Sequence, residues 1–242
     1  MKDLTGAAVV VTGGRGGLGS VICQAFLDAG SHVMAVDVVA PDAGRVVEGV
    51  VQRQADTATA EGAAALAEAA LAEFGRIDVL VNNAGINQWV EFDDLDGMTD
   101  ELWNRILGVN LTGPWRCSKA VAPAMKRQQA GRIVSVASIA GLRPAGSSIA
   151  YAISKAGVIH LTRCLAVALA PHVLVNAVAP GLMEGTGMTV NLSSEFIDGT
   201  KRVSLLGRSA RLEDVAGQIV AFAQSDTITG QTVPVDAGVV FH

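Results

Sequence analysis

Six short runs of β-branched and small apolar residues recur along the chain, each ending near Gly, Asp, Asn or Ser. They read "GAAVVVTG", "SHVMAVD", "IDVLVNNAG", "GRIVSVAS", "HVLVNAVAPG" and "GQTVPVD". Nearly continuous apolarity marks strands covered on both faces, as in a parallel sheet. A seventh, weaker run lies at 49–55. Between the runs stand helical patterns at 17–30, 59–74, 99–128, 149–170 and 211–224. The clearest, "TATAEGAAALAEAALAEFG", joins strong helix formers to a glycine stop. Strands alternating with helices need crossover connections. The pattern therefore predicts an α/β fold: a doubly wound, mostly parallel seven-stranded sheet with helices on both faces. No repeat or linker interrupts it, so one domain is expected over residues 1–242.

Composition narrows the function. Half the residues are hydrophobic and 27 are glycine, enough for a large core and many tight turns. A net charge of -5 argues against a nucleic-acid partner, which usually meets a basic face. No stretch of about 18 uninterrupted apolar residues occurs, so no membrane span is expected. Residues 1–6 run straight into the first strand pattern, leaving no room for a signal peptide. Cys23, Cys117 and Cys164 lie far apart in apolar segments. They are expected to be buried free thiols, which suits the cytoplasm. The four histidines form no pair at ligand spacing, so no metal site is expected.

The stretch "VVVTGGRGGLGSVICQAF" is a strand, a glycine-dense turn and a helix start. Gly13, Gly17 and Gly19 stand in a G-x-x-x-G-x-G arrangement, with Arg15 and Leu18 in the same turn. Such a turn lets a pyrophosphate approach backbone N–H groups at the positive end of a helix. Asp37 closes the second strand 24 residues after Gly13. An acidic group there accepts hydrogen bonds from the adenosine ribose and repels a 2′-phosphate. Val38 follows it, so no adjacent arginine neutralises such a phosphate. NAD is the expected cofactor, with Arg15 the one cation of the turn that could reach a phosphate.

Tyr151, the only tyrosine, precedes Lys155 by four residues in a helical pattern, so both project from one face. A phenol titrates near pH 10, too high for a base at neutrality. A neighbouring ammonium stabilises the phenolate and makes the pair competent to exchange a proton with an alcohol or carbonyl oxygen. Tyr-x-x-x-Lys by itself is common by chance. Ser138 adds weight: it ends a predicted strand at the carboxyl edge of the sheet, where ligands collect, and can hold a substrate oxygen beside the phenol.

On these residues the chain resembles the short-chain dehydrogenases/reductases. "TGGRGGLG" is similar to that family's TGxxxGxG turn, and "NNAG" (82–85) to its motif after the fourth strand. Asn110, Ser138, Tyr151 and Lys155 match its Asn-Ser-Tyr-Lys tetrad, and Pro180 with Gly181 its PG turn. The resemblance spans almost the whole chain and implies a Rossmann-like, single-domain, NAD-dependent oxidoreductase acting on a secondary alcohol or ketone. It implies Tyr151 as general acid/base, Ser138 as orienter of the substrate oxygen, Lys155 as tuner of the tyrosine and ligand of the nicotinamide ribose, and Asn110 as holder of a relay water. It places Asp56 at the adenine amino group, Asn83 and Gly85 along the adenosine, and Pro180, Gly181, Met183 and Thr186 by the nicotinamide. The family's usual threonine position after PG is Gly185 here, and Thr186 follows it.

For the substrate, Trp89, Ser138, Ile139, Met183 and Met188 are expected to line a fairly apolar pocket under a loop at about 182–206. A second reading is an NADPH-dependent reductase of 3-oxoacyl thioesters, which Asp37 opposes. A non-enzymatic NAD-binding regulator need not keep all four tetrad residues. Apolar positions beyond one face of the 99–128 and 149–170 helices suggest a buried subunit contact, and the family's habit implies a homotetramer.

Overall fold

The computed structural model describes residues 2–40, 47–189 and 192–241. Seven parallel strands form one sheet in the order β3-β2-β1-β4-β5-β6-β7. They are β1 (Ala8–Thr12), β2 (His32–Asp37), β3 (Val51–Gln54), β4 (Val79–Asn82), β5 (Gly131–Val136), β6 (Val173–Pro180) and β7 (Thr232–Val235). Seven α-helices connect or flank them: α1 (Gly17–Asp28), α2 (Ala60–Phe74), α3 (Asp100–Leu107), α4 (Gly113–Gln128), α5 (Ile149–Leu169), α6 (Ser194–Val203) and α7 (Leu212–Gln224).

Alternation along β1 shows why its run is apolar throughout. Val9 and Val11 pack with Ile22 and Phe26 of α1 and Ile219 and Phe222 of α7. Val10 faces the other way, into a core with Leu66 of α2, Val121 and Met125 of α4, and Leu165 of α5. A strand with no polar face must be covered twice, and the helices divide into two layers accordingly. The chain moves outward from β1 through β2 to β3, then returns to lay β4 on the opposite side of β1. That reversal opens a crevice beyond the carboxyl ends of β1 and β4, where open α/β sheets bind ligands.

Three features depart from the expected pattern. The 99–128 helix is two helices joined by a π-helical segment, Gly108–Thr112, with Gly113 and Pro114 starting α4. The extra residue in that turn rotates Asn110 inward, where it is 1% exposed. A helix, α6, occupies part of the 182–206 loop, of which residues 190 and 191 lie outside those described. Cys164 is exposed, whereas Cys23 and Cys117 are buried as expected and burial pushes both thiols up to about 12. By length and hydropathy α5 could cross a membrane. Here half of its most apolar window is buried, with Val158, Ile159, Leu165 and Leu169 in the core.

Helix ends show how the turn near β1 differs. Thr59 caps α2 by accepting from the Gly62 amide at 2.9 Å, and Ser148 caps α5 by accepting from the Tyr151 amide at 3.3 Å. The α1 N-terminus has no side-chain cap and no acid in its first turn. Gly19 seals the turn beneath it. A Cβ there would stand 2.0 Å from the Gly13 carbonyl oxygen and 2.8 Å from the Gly14 Cα, both backbone atoms that cannot swing aside. Gly19→Ala is therefore expected to lower stability by about 1–3 kcal/mol and to weaken dinucleotide binding. Thermal unfolding and NADH fluorescence titration check this, and an unchanged Tm with unchanged binding would refute it.

Candidate active site

A cavity of about 860 Å³ runs along the carboxyl edge of the sheet from Asp37 to Tyr151. At one end lie Asp37, Asp56, Thr57 and Ala58, and in the middle the glycine turn faces Asn83 and Gly85. Ser138, Tyr151, Lys155, Gly181 and Met188 close the other end. Pro180, Met183 and Thr186 also line it, so every expected cofactor residue borders this one cleft.

Several of these residues hold the turn as much as they face the cavity. Asn83 donates from Nδ2 to the carbonyls of Thr12 and Gly13, each at 3.0 Å. Thr12, which the motif reading passed over, accepts at Oγ1 from the amides of Asn83 and Ala84, each at 3.0 Å. Its place as the first letter of "TGGRGGLG" was the available signal. The Asp37 carboxylate takes the Arg15 amide at 3.2 Å and the Val39 amide at 3.3 Å, one on each oxygen. Asp56 accepts from the Ala58 amide at 2.9 Å. The Arg15 guanidinium is nearly buried and bonds Gln52 and the Val39 and Ala40 carbonyls.

These residues fit a dinucleotide. The uncapped α1 N-terminus presents Gly17, Leu18 and Gly19 to the cavity, a donor set suited to a pyrophosphate. Asp37 keeps lone pairs for ribose hydroxyls beyond the two amides it already serves.

At the reacting end, Ser138 ends the β5 connection and caps a short 3₁₀ turn (Ile139–Gly141), accepting from the Ala140 amide at 3.1 Å. Its contact with the Pro180 carbonyl, 3.5 Å, is at the limit of a hydrogen bond, so its proton is available to the phenol oxygen of Tyr151. Tyr151 and Lys155 lie one turn apart on α5, with Nζ 5.7 Å from the phenol ring centroid. Burial raises the Tyr151 pKa, and the hydrogen bond from Ser138 opposes that rise. Lysine tuning was expected to lower it; burial is instead the larger cause, and the opposing one is Ser138 rather than Lys155. Lys155 is 3% exposed, and burial lowers its pKa to about 8. Its ammonium donates to the Val136 carbonyl at 2.8 Å.

Asn110 does not line the cavity but pins its wall. Its Oδ1 accepts from the Ile86 amide and its Nδ2 donates to the Ile86 carbonyl, both at 2.8 Å, and Nδ2 also donates to Ser154 Oγ at 3.2 Å. Ser154 in turn donates to the Tyr151 carbonyl at 2.7 Å. This serine, hidden inside "YAISK", carried no recognisable signal of its own. Gly85 stands at this junction: a Cβ there would lie 3.3 Å from Met188 Cε, 3.4 Å from Asn110 Oδ1 and 3.6 Å from Lys155 Nζ.

Two expected pocket residues lie elsewhere. Trp89 is 44% exposed, donates from Nε1 to Glu91 at 2.7 Å and meets Phe196 edge to face at 5.4 Å. Ile139 is buried within the 3₁₀ turn rather than bordering the cavity. Asn87 and Gln88 border it instead. Glu184 is occupied by Lys201 at 2.9 Å and Ser209 at 2.8 Å, bonds that hold its carboxyl below the usual range, Lys201 first. Among the described residues no group of three or more His, Cys, Asp or Glu side chains could hold a metal ion.

The buried ammonium makes a stability prediction. A lysine whose folded pKa lies below its unfolded value binds its proton less tightly when folded, so it costs stability below about pH 8 and that cost fades as pH rises toward 10.5. Tyr151 acts oppositely, but only above its ordinary value of 10. Between pH 8 and 10 the Lys155 contribution should therefore grow by up to about 2 kcal/mol, and Lys155→Met should remove that rise. Urea unfolding of both proteins across this range measures it, and parallel pH profiles would refute it.

Comparison with known proteins agrees with this geometry. The family model described as short chain dehydrogenase matches residues 7–196. Ketoacyl reductase 2 assigned to the granaticin polyketide synthase of Streptomyces violaceoruber is 38% identical over 237 residues, covering 95% of this chain and 94% of that one. A 3-oxoacyl-[acyl-carrier-protein] reductase of Synechocystis is 37% identical over 252 residues, covering 99% of each chain. The aldohexose dehydrogenase of Thermoplasma acidophilum superposes with a TM-score of 0.89 at 29% identity, covering 98% of this chain and 95% of that one. The chain is an oxidoreductase of the short-chain dehydrogenase family, whose members bind a nicotinamide cofactor.

Proposed function

We propose that the protein is an NAD-dependent oxidoreductase interconverting a secondary alcohol and a ketone, with Tyr151 as general acid/base. The observation that carries this reading is the meeting of Ser138, Tyr151 and Lys155 in the same cleft that ends at Asp37. When bound, the nicotinamide supplies or accepts the hydride. The protein supplies orientation and the proton. With its pKa raised, the phenol is protonated at neutral pH and ready to give its proton to a carbonyl oxygen during reduction. Oxidation needs the phenolate, and a protonated Lys155 beside it favours that form. Ser138 can donate to the same substrate oxygen and fix its position. Asn110 holds the Ile86 backbone next to Gly85, and in this reading it also holds the relay water that links Lys155 to solvent.

The cofactor preference rests on Asp37. Its carboxylate is oriented by two amides toward the site of the ribose hydroxyls and would repel a 2′-phosphate. Substrate size and polarity follow from Ile86, Met183 and Met188 beside Asn87 and Gln88: a neutral, mostly apolar ketone fits this wall. A second reading is reduction of 3-oxoacyl thioesters with NADPH; its substrate class is favoured by the likeness to the Streptomyces ketoacyl reductase and the Synechocystis 3-oxoacyl reductase. Asp37 opposes it.

Turnover of NAD+ and NADP+ with aliphatic, aryl and cyclic secondary alcohols and with 3-hydroxyacyl thioesters separates the readings. Activity with NAD+ on an apolar alcohol is expected, and Tyr151→Phe should reduce it by about a hundredfold or more while still binding NADH. Activity confined to NADP+ and thioesters would establish the second reading instead. Copies of the chain are further proposed to assemble as a homotetramer, because Trp115 of α4 and Ile153 and Val167 of α5 are exposed apolar residues on its two longest helices. Light scattering should give four times the 24.8 kDa chain mass; a monomer would exclude it.

A further inference from the structure

Arg15 is the cation of the glycine turn, yet its side chain is only 5% exposed beside a ligand cleft. Its Nε donates to Gln52 Oε1 at 2.8 Å, and one terminal nitrogen donates to the Val39 carbonyl at 2.6 Å and to the Ala40 carbonyl. Gln52 is itself steadied, its Nε2 reaching the Val50 carbonyl at 3.4 Å. Gln52 lies opposite Ala35 in the β2–β3 pairing, two positions before the pair made by Asp37 and Gln54.

These bonds form a closed circuit with Asp37. The Arg15 amide takes one carboxylate oxygen and the Val39 amide takes the other. The Arg15 guanidinium then holds the carbonyl of that same Val39. We propose that Arg15 is a positioning and specificity-determining residue. It ties the 38–40 segment to the glycine turn, aims the Asp37 carboxylate at the ribose, and is kept from a 2′-phosphate by Gln52. This rests on the NAD reading above and extends it. A guanidinium serving a phosphate would have to leave three acceptors, one of them on a half-buried strand residue, and each lost bond is a real cost. It would also bring a phosphate toward the Asp37 carboxylate, a like charge.

The test begins with the cofactor-free protein. Hydrogen–deuterium exchange of peptides covering 38–40 should quicken several-fold in Arg15→Ala, which removes the bonds to the Val39 and Ala40 carbonyls, and much less in Gln52→Leu, which keeps them. Steady-state kinetics then follow. Arg15→Ala should raise the KM for NAD+ about tenfold with a much smaller fall in kcat. Gln52→Leu should lower the KM for NADP+ relative to that for NAD+, since a guanidinium without its Gln52 anchor is held less firmly away from the phosphate. If Arg15→Ala fails to fold, Arg15→Lys, which keeps the charge but loses the forked donor, carries both measurements. Unchanged exchange at 38–40 in the folded Arg15 variant overturns the proposal. So does an Arg15→Ala enzyme that loses NADP+ turnover and keeps that with NAD+, because Arg15 would then be a phosphate ligand. A wild-type enzyme preferring NADP+ overturns the NAD reading by itself; quickened exchange in the same experiment would still support the tie.

Discussion

The reacting end is organised around a buried ammonium. Lys155 is 3% exposed and donates to the Val136 carbonyl at the last residue of β5. Removing a cation from water is costly, and the lowered pKa of about 8 measures how far burial disfavours its charge. One carbonyl at 2.8 Å does not replace a hydration shell. The rest of the fold therefore has to hold the lysine in place, and the 21 residues of α5 do so by burying a flank on both sides of it. Ala150 and Ala152 pack at one end and Leu165, Ala166 and Leu169 at the other. A site built this way keeps a charge poised at the cleft, where a substrate and a phenol can use it.

The π segment belongs to the same economy of strain. An extra residue in a helix turn re-aims the side chains it carries, and such turns are frequent at functional sites. Asn110, aimed inward, makes three bonds: to both polar groups of Ile86 and to the Ser154 hydroxyl. Ser154 passes the connection to the Tyr151 carbonyl. The wall of the cleft at Ile86 and the helix that bears the phenol are thus joined through two side chains. Shifting either by one position would break the chain of contacts, although neither residue need touch the substrate.

The fold was legible because parallel sheets leave a coarse record. Strands such as "AVVVT" have no polar face, so their burial on both sides is written in composition. The expected cofactor and tetrad residues come in short fixed patterns, and the fold gathers them around one cleft, Asn110 behind its wall. What escaped was set by packing between distant segments. Trp89 looked like pocket lining, but its direction depends on Glu91 and on Phe196, more than a hundred residues away. Ile139 follows Ser138, yet the 3₁₀ turn buries it. The break at Gly108–Thr112 lay inside a periodic apolar pattern that continues on either side, so periodicity ran through it. Cys164 sits among apolar neighbours in α5, but on the face turned outward.

The two ends of the cleft are made of different materials, and this bears on how one fold serves many substrates. The dinucleotide end is largely backbone: amides of the glycine turn, carbonyls held by Asn83, and a carboxylate fixed by two N–H groups. Backbone geometry of this kind tolerates little change, as the 2.0 Å approach at Gly19 shows. The other end draws its wall from Ile86–Gln88 and from Met183, Thr186 and Met188, side chains on connections rather than on strands. Those connections can be rewritten without disturbing the sheet. Ser138, Tyr151 and Lys155 close that end from β5's exit and from α5, on elements fixed by the sheet rather than on the connections that line the rest of the wall.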